Sequence, residues 1–168
     1  MSLLQASIPL KALSVYIENF KKAVAFFARS ELLDFVNSKK KYDKKPIIRF
    51  HNSDYMKPVK EKDKSFDLLI SQYAGFVSKH CKNYLKVGGL LLVNNSHGDA
   101  SMAYLDDNFE FIGVFYKSKI KFYLTTKNLN KYFIPKKDIE ITAEYLEKIQ
   151  RGIGYTKTGS HYLFEKVE

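Results

Sequence analysis

Cysteine is almost absent from this chain and tryptophan is wholly absent. The one cysteine, Cys81, lies in an apolar stretch, so the sequence can form neither an internal disulfide nor a cysteine-rich zinc site. The four histidines, at 51, 80, 97 and 161, lack the paired spacing of metal ligands, so we expect no metal site. No apolar run approaches the ~20 residues that cross a bilayer, and no signal-peptide pattern opens the chain. We therefore expect a soluble, cytoplasmic protein with no membrane partner and with Cys81 in its core.

The composition favours a single domain over residues 1–168, because 45% of the residues are hydrophobic. Lysine and arginine number 28 against 18 acidic residues, a formal charge of +10. Such a charge favours phosphate-rich partners, and nucleic acid is one candidate. The alternative is a solvated surface, since the lysines look spread along the chain.

Apolar periodicity predicts the first elements. Residues 20–37 carry a broad apolar stripe typical of a helix. Residues 13–18 are rich in β-branched and aromatic side chains, so we expect a strand there, with an early part of one long helix as the alternative. A second strand is expected at 47–51, ending at Asn52-Ser53-Asp54.

The remaining pattern alternates strands and helices. The apolar run Phe66–Ser71 is typical of a parallel strand covered on both faces. We expect a helix over 75–86, ended by Val87-Gly88-Gly89 through a glycine cap. Further predicted elements are a strand at 90–93, an antiparallel pair at 109–115 and 120–124, a helix at 138–149 and a strand at 160–165. The alternation predicts an α/β fold with a parallel sheet.

The stretch from Phe66 to Val93, with its phrase Tyr84-Leu85-Lys86-Val87-Gly88-Gly89, resembles the fourth strand, the following helix and the fifth strand of class I S-adenosylmethionine-dependent methyltransferases. The resemblance covers residues 13–124. It implies a Rossmann-like, mostly parallel sheet flanked by helices, with an antiparallel carboxy-terminal strand pair. The family's first strand and its Gly-x-Gly-x-Gly turn would lie before Leu13, where only twelve residues without glycine stand. We therefore expect the first strand to be missing or replaced, in an amino-terminally incomplete domain.

The same resemblance assigns cofactor-binding residues for S-adenosylmethionine. It places Glu18 on the ribose hydroxyls, Asp54 with Ser53 and Tyr55 at the adenine edge, and Ser71, Gln72 and Tyr73 near the methyl group and its acceptor, with Tyr73 on the substrate side. A carboxylate can accept from both hydroxyls of a vicinal diol. The alternatives are that Glu18 is an ordinary acidic residue at a helix start and that Asp54 begins a turn at Met56-Lys57-Pro58.

The most polar cluster is Asn94-Asn95-Ser96-His97-Gly98-Asp99, directly after a buried strand. Ligands of open α/β sheets bind at the carboxyl ends of strands. We expect His97 to act as a general base beside Ser96 or Asp99, with Asn94 in the catalytic set and Asn95 and Ser96 binding substrate. The alternative is a turn in which Asp99 caps a helix beginning near Ala100.

Two observations narrow the function. Arg151–Ser160 has three glycines and could bind phosphate or carboxylate through backbone amides, although a flexible hairpin or lid is the preferred interpretation. Ser71-Gln72-Tyr73-Ala74 stands where methyltransferases of base amino groups carry an Asn/Asp-Pro-Pro-aromatic turn, so that activity is not expected. The resemblance implies a methyltransferase with an unassigned acceptor. The alternative is a non-catalytic Rossmann-like binding or oligomeric module, which could contact nucleic acid or form a homo-oligomer.

Overall fold

The computed structural model describes residues 13–119 and 121–168. The chain forms two compact units, the first up to Val59 and the second from Lys60 to Glu168. The division falls inside the charged connection around residues 57–65. Among the described residues, no helix has the length and apolar character needed to cross a membrane.

The first unit pairs strand β1 (Leu13–Ile17) with strand β2 (Ile47–His51) in parallel. The predicted strand at 13–18 is therefore confirmed over the helical alternative. Helix α1 (Lys21–Phe27) packs on the pair through Phe27, whose ring stacks on Phe50 with centroids 4.5 Å apart. The single helix expected over 20–37 is wrong, because α1 ends at the C-cap Ala28 and a separate helix α2 (Leu32–Lys39) follows.

The second unit contains a five-stranded sheet. Its elements are β3 (Phe66–Ser71), α3 (Val77–Cys81), a 3-10 turn (Lys82–Tyr84), β4 (Leu85–Val93), α4 (Asp99–Tyr104), β5 (Phe109–Ser118), β6 (Lys121–Thr125), a 3-10 turn (Leu129–Lys131), α5 (Ala143–Ile149) and β7 (His161–Lys166). The strand order is β3-β4-β7-β5-β6. Only β3 and β4 pair in parallel, whereas β7 is inserted antiparallel to β4 and β5, and β5 pairs antiparallel with β6. The fold is α/β, as expected, but this sheet is mixed rather than mostly parallel.

Two helix predictions in this unit need correction. The helix expected over 75–86 is reduced to α3 and a 3-10 turn, and Val87-Gly88-Gly89 lies inside β4 instead of capping a helix. Gly88 adopts φ +76° near the point where the β3–β4 register shifts, so its conformational freedom serves an irregular strand. The helix expected over 138–149 begins only at Ala143, where the Thr142 hydroxyl accepts from the Tyr145 amide at 3.1 Å.

The core lies on one face of the five-stranded sheet. Alternate residues of β7 are buried, and they pack with apolar residues of α4 and α5. The fully buried members include Leu91, Val93, Val114, Ala100, Ala103, Leu146 and Phe164. On β3, Leu68 and Ile70 are half-exposed, so the strand is not covered on both faces as its apolar run predicted.

Candidate functional site

Polar side chains meet where the parallel strands β3 and β4 end. Ser71 pairs with Val93 in the last register position, and the Asn94 amide donates to the Ser71 carbonyl at 3.2 Å. Residues after the two strands therefore lie side by side. We call the group formed by Gln72, Tyr73, Asn94, Ser96, His97 and His161 the strand-end cluster.

Asn94 is the centre of this cluster. It is buried, and its Oδ1 accepts from the Ser96 hydroxyl at 2.8 Å and the Ser96 amide at 3.2 Å. The Tyr73 amide approaches the same oxygen at 3.5 Å, and Asn94 Nδ2 lies 3.5 Å from Gln72 Oε1. Because Asn94 fixes both loops, its main contribution is to position its neighbours.

Ser96 and His97 form a short relay. The Ser96 hydroxyl has one proton and donates it to Asn94, so Ser96 Oγ is the acceptor for His97 Nδ1 at 3.0 Å. In the neutral imidazole this arrangement leaves Nε2 as the proton acceptor. His97 is exposed, so Nε2 can meet a substrate.

Tyr73 shows backbone strain beside the cluster. It has φ +58°, a conformation that bulky residues rarely adopt, and its side chain is 74% exposed. Such strain is concentrated at binding and catalytic sites. The position is consistent with the substrate contact that sequence analysis assigns to Tyr73.

His161 joins the cluster from β7, a position that sequence analysis left unassigned. Its Nε2 lies 2.8 Å from Gln72 Oε1 and donates to it. Burial, with a smaller contribution from Lys117, lowers the pKa of His161 below its ordinary value, which keeps the imidazole neutral at pH 7. No local motif marks this residue, because its contact depends on the insertion of β7 beside β4.

Asp99, predicted to be catalytic, forms its hydrogen bonds with Ser71 and Ser78 and not with His97. It is 2% exposed, and its carboxylate accepts from the Ser71 hydroxyl at 2.5 Å, the Ser78 hydroxyl at 2.5 Å and the Ser78 amide at 3.0 Å. Burial raises the pKa of Asp99, and these hydrogen bonds oppose the increase. The carboxylate thus ties β3 to α3 and α4. Asp99 does not cap its own helix, since the N-cap of α4 is Gly98 at φ +93°.

Asn95 also points inward. Its Oδ1 accepts from the Ser101 amide at 3.1 Å and the Ser101 hydroxyl at 3.0 Å, and Ser101 Oγ lies 2.7 Å from the Tyr155 hydroxyl. Tyr155 is buried, which raises its pKa to about 12. The Asn95 side chain therefore stabilises its loop through Oδ1. Only the Nδ2 and backbone groups of Asn95 lie outside these bonds and could make the predicted substrate contact.

The glycine-containing loop after α5 packs against the loop of Asn95 and Ser96. The Gly152 amide donates to the Ser96 carbonyl at 3.0 Å. This bond uses one of the backbone amides that could otherwise bind an anion. The loop supports the strand-end cluster directly.

A separate apolar cleft of about 220 Å³ lies beside α4. Its lining consists of Ser101, Tyr104, Leu105, Phe133, Pro135, Ile139, Ile141 and Tyr155. Its volume is below the roughly 300–1,000 Å³ of typical ligand pockets. The cleft contains none of the site residues that sequence analysis selected.

The remaining predicted residues lie in the first unit. Glu18 directly follows β1, and its Oε1 accepts from the Asn19 amide at 2.9 Å and the Phe20 amide at 3.0 Å. Both amides precede the first residue of α1, whose first turn contains no acidic residue, so Glu18 orders the loop before the helix rather than the helix itself. The Oε2 atom takes no part in these two bonds. Asp54 accepts from the Met56 amide at 2.9 Å, so it does begin a turn, with Ser53 and Tyr55 on either side.

Comparisons with known proteins do not identify the chain. No protein-family model matches it, and no curated protein matches its sequence. Among the described residues, no group of three or more histidine, cysteine, aspartate or glutamate side chains is placed to hold a metal ion.

Proposed function

We propose that this chain is a methyltransferase-type domain of the class I S-adenosylmethionine-dependent kind, in which the strand-end cluster faces the methyl acceptor. The observation that carries the proposal is the convergence of Gln72, Tyr73, Asn94 and Ser96 at the carboxyl ends of two adjacent parallel strands. Open α/β sheets bind their ligands at this edge.

The strand neighbours support the proposal independently. Doubly wound sheets have the order 3-2-1-4-5-6. Under the resemblance, β1 and β2 correspond to the second and third strands, and β3 and β4 to the fourth and fifth. Both pairs are parallel neighbours here, as that order requires.

The side chains present fit the cofactor in part. The Oε2 atom of Glu18 lies outside the two backbone bonds of that residue, and a carboxylate oxygen suits a ribose hydroxyl. Gln72 is half-buried and accepts from Asn94 and His161 through Oε1, so its Nε2 is the part of the amide left for a ligand. The Ser71 hydroxyl is committed to Asp99, so only the Ser71 backbone is left for a cofactor contact. No glycine precedes Gly75, so the close backbone approach of a glycine-rich turn is not encoded in this chain.

The chemistry assigned to the chain is mainly positioning. The cofactor, when bound, supplies an electrophilic methyl group on sulfur. Tyr73 and Ser96 orient the acceptor, and His97 Nε2 removes a proton where the acceptor atom carries one. Asn94 holds Ser96 and, through it, His97 in the required orientation.

Calorimetric titration with S-adenosylhomocysteine tests the proposal. We expect saturable binding by the native chain and a loss of about 1–3 kcal/mol in Glu18→Ala, the scale of a hydrogen bond to a charged group. Glu18→Gln keeps an oxygen for the Asn19 and Phe20 amides, so it separates the ligand contact from the loop contact. Glu31→Ala, which removes an exposed carboxylate at the start of α2, is the matched control and should bind normally.

The absence of saturable binding by the native chain would overturn the proposal. The non-catalytic binding module would then be the better description. Equal losses in Glu18→Ala and Glu31→Ala would remove the specific role of Glu18.

A further inference from the structure

The positive charge of the second unit is concentrated in one segment. Residues 111–137, which we call the basic segment, contain seven lysines and no acidic residue. The rest of the unit, from Lys60 to Glu168, has ten basic and thirteen acidic residues. Within this unit, therefore, the lysines are not evenly spread, and the net positive charge is local.

All seven lysines are solvent-exposed: Lys117, Lys119, Lys121, Lys127, Lys131, Lys136 and Lys137. The ion pairs described in this unit join Lys79 to Glu147, Lys82 to Asp106 and Lys86 to Asp67, and they include none of the seven. An uncompensated cluster of this kind attracts a polyanion.

Exposed aromatic rings lie among these lysines on the β5–β6 hairpin. Phe122 is 55% exposed and Tyr123 54% exposed. Phe122 pairs across the hairpin with Lys117, so the two side chains share one face, while Tyr123 points to the opposite face. The Phe122 ring also lies 6.0 Å from the His161 ring, centroid to centroid.

We infer that the Phe122 face of the hairpin binds single-stranded nucleic acid, with a base stacked on Phe122 and with phosphates contacted by Lys117 on the same face and by Lys119 in the turn. Aromatic rings interleaved with basic residues are the usual platform for unpaired bases, because every base has a π-face. A duplex hides those faces. An anionic membrane is disfavoured because Phe122 and Tyr123 project from opposite faces and cannot insert together.

The surface continues into the strand-end cluster. His161 contacts Phe122 on one side and donates to Gln72 on the other. A strand held on Phe122 therefore lies next to the proposed acceptor side. The binding surface itself does not depend on the proposed function, and its test contains no cofactor analogue.

Fluorescence anisotropy with a labelled twelve-nucleotide oligouridylate tests the inference in the whole chain. Phe122→Ala should weaken binding by about 5- to 150-fold, the range for loss of one base–aromatic stack. Tyr123→Ala, on the opposite face of the same strand, should bind like the native chain. Both side chains are half-exposed, so neither variant leaves a core cavity.

The salt dependence tests the phosphate contacts. The double variant Lys117→Ala, Lys119→Ala should make the slope of log affinity against log salt less negative by about 1.4, at about 0.7 per phosphate contact. A control with the same charge change, in the exposed residues Lys60 and Lys62, should leave the slope unchanged.

Three outcomes would overturn the inference. The first is that Phe122→Ala and Tyr123→Ala weaken binding equally, or that neither variant weakens it. The second is equally tight binding of a duplex of the same length. The third is binding to phosphatidylserine vesicles, lost in the double variant, without binding to the oligonucleotide.

Discussion

Replacing Gly152 with alanine tests whether the loop after α5 supports the strand-end cluster. A Cβ on Gly152 would lie 1.8 Å from the Asn95 carbonyl oxygen, so one of the two backbones must move by more than about 1 Å. The movement also breaks the bond from the Gly152 amide to the Ser96 carbonyl. Overpacking costs about 1–3 kcal/mol, and the lost hydrogen bond adds about 0.5–1.5 kcal/mol. We expect Gly152→Ala to lower the free energy of unfolding by about 1.5–4.5 kcal/mol.

Gly154 supplies a matched control two residues later. A Cβ there meets no atom within 4 Å, so Gly154→Ala should be neutral or stabilise by up to about 1 kcal/mol. Urea unfolding followed through the NMR amide signals of Gly98 and Ser101 reports on this unit alone. At a typical slope of about 2 kcal/mol per molar urea, the midpoint for Gly152→Ala should be lower by about 1–2 M. Equal midpoints for the two variants would refute the supporting contact.

Three further predictions concern buried or shifted groups. Asp99→Ala removes the acceptor of the buried Ser78 amide and should cost about 1–3 kcal/mol in urea unfolding, whereas exposed Asp107→Ala should cost less than about 0.5 kcal/mol; equal costs would contradict the buried role. Because the folded state raises the pKa of Asp99, this residue makes stability fall as pH rises from its ordinary pKa through the folded one, and Asp99→Asn should remove that pH dependence. In proton NMR, the pKa of His161 should lie below 6.5 and should rise in Lys117→Ala. Because the folded state lowers this pKa, His161 makes stability fall as pH falls below 6.5. An unchanged pKa in Lys117→Ala would exclude the influence of Lys117. Burial and Asp99 raise the pKa of Cys81 to about 11, so its reaction with a thiol reagent at pH 8 should be slow and limited by unfolding.

Local patterns predicted most of the strands, whereas β4 begins at Leu85 instead of the expected residue 90. The β-branched and aromatic runs at β1, β2 and β3 fall within a residue of their predicted bounds, because side-chain shape sets strand preference locally. The hairpin of β5 and β6 was also predicted, although both strands extend further than expected. The helices were less predictable, since glycines at the end of an apolar helical pattern suit a cap, yet Gly88 and Gly89 serve a strand here.

The residues of the site were likewise predictable where local sequence sets their position and unpredictable where distant contacts do. The sequence placed polar residues after β3 and β4, and the parallel pairing brings Gln72 and Asn94 together. It could not predict that Asp99 turns towards Ser71 and Ser78, because a buried carboxylate selects its donors in three dimensions. His161 was missed for a related reason, since its contact with Gln72 spans 89 residues of sequence.

The most direct test of the strand-end cluster as a ligand site is an NMR titration of the native chain with S-adenosylhomocysteine. We expect saturable amide shifts at Gln72, Tyr73 and residues 94–97, with little change at Phe66 and Leu85, which pair at the opposite end of β3 and β4. Saturable shifts that avoid the strand-end cluster, or no saturable shift at any amide, would contradict it.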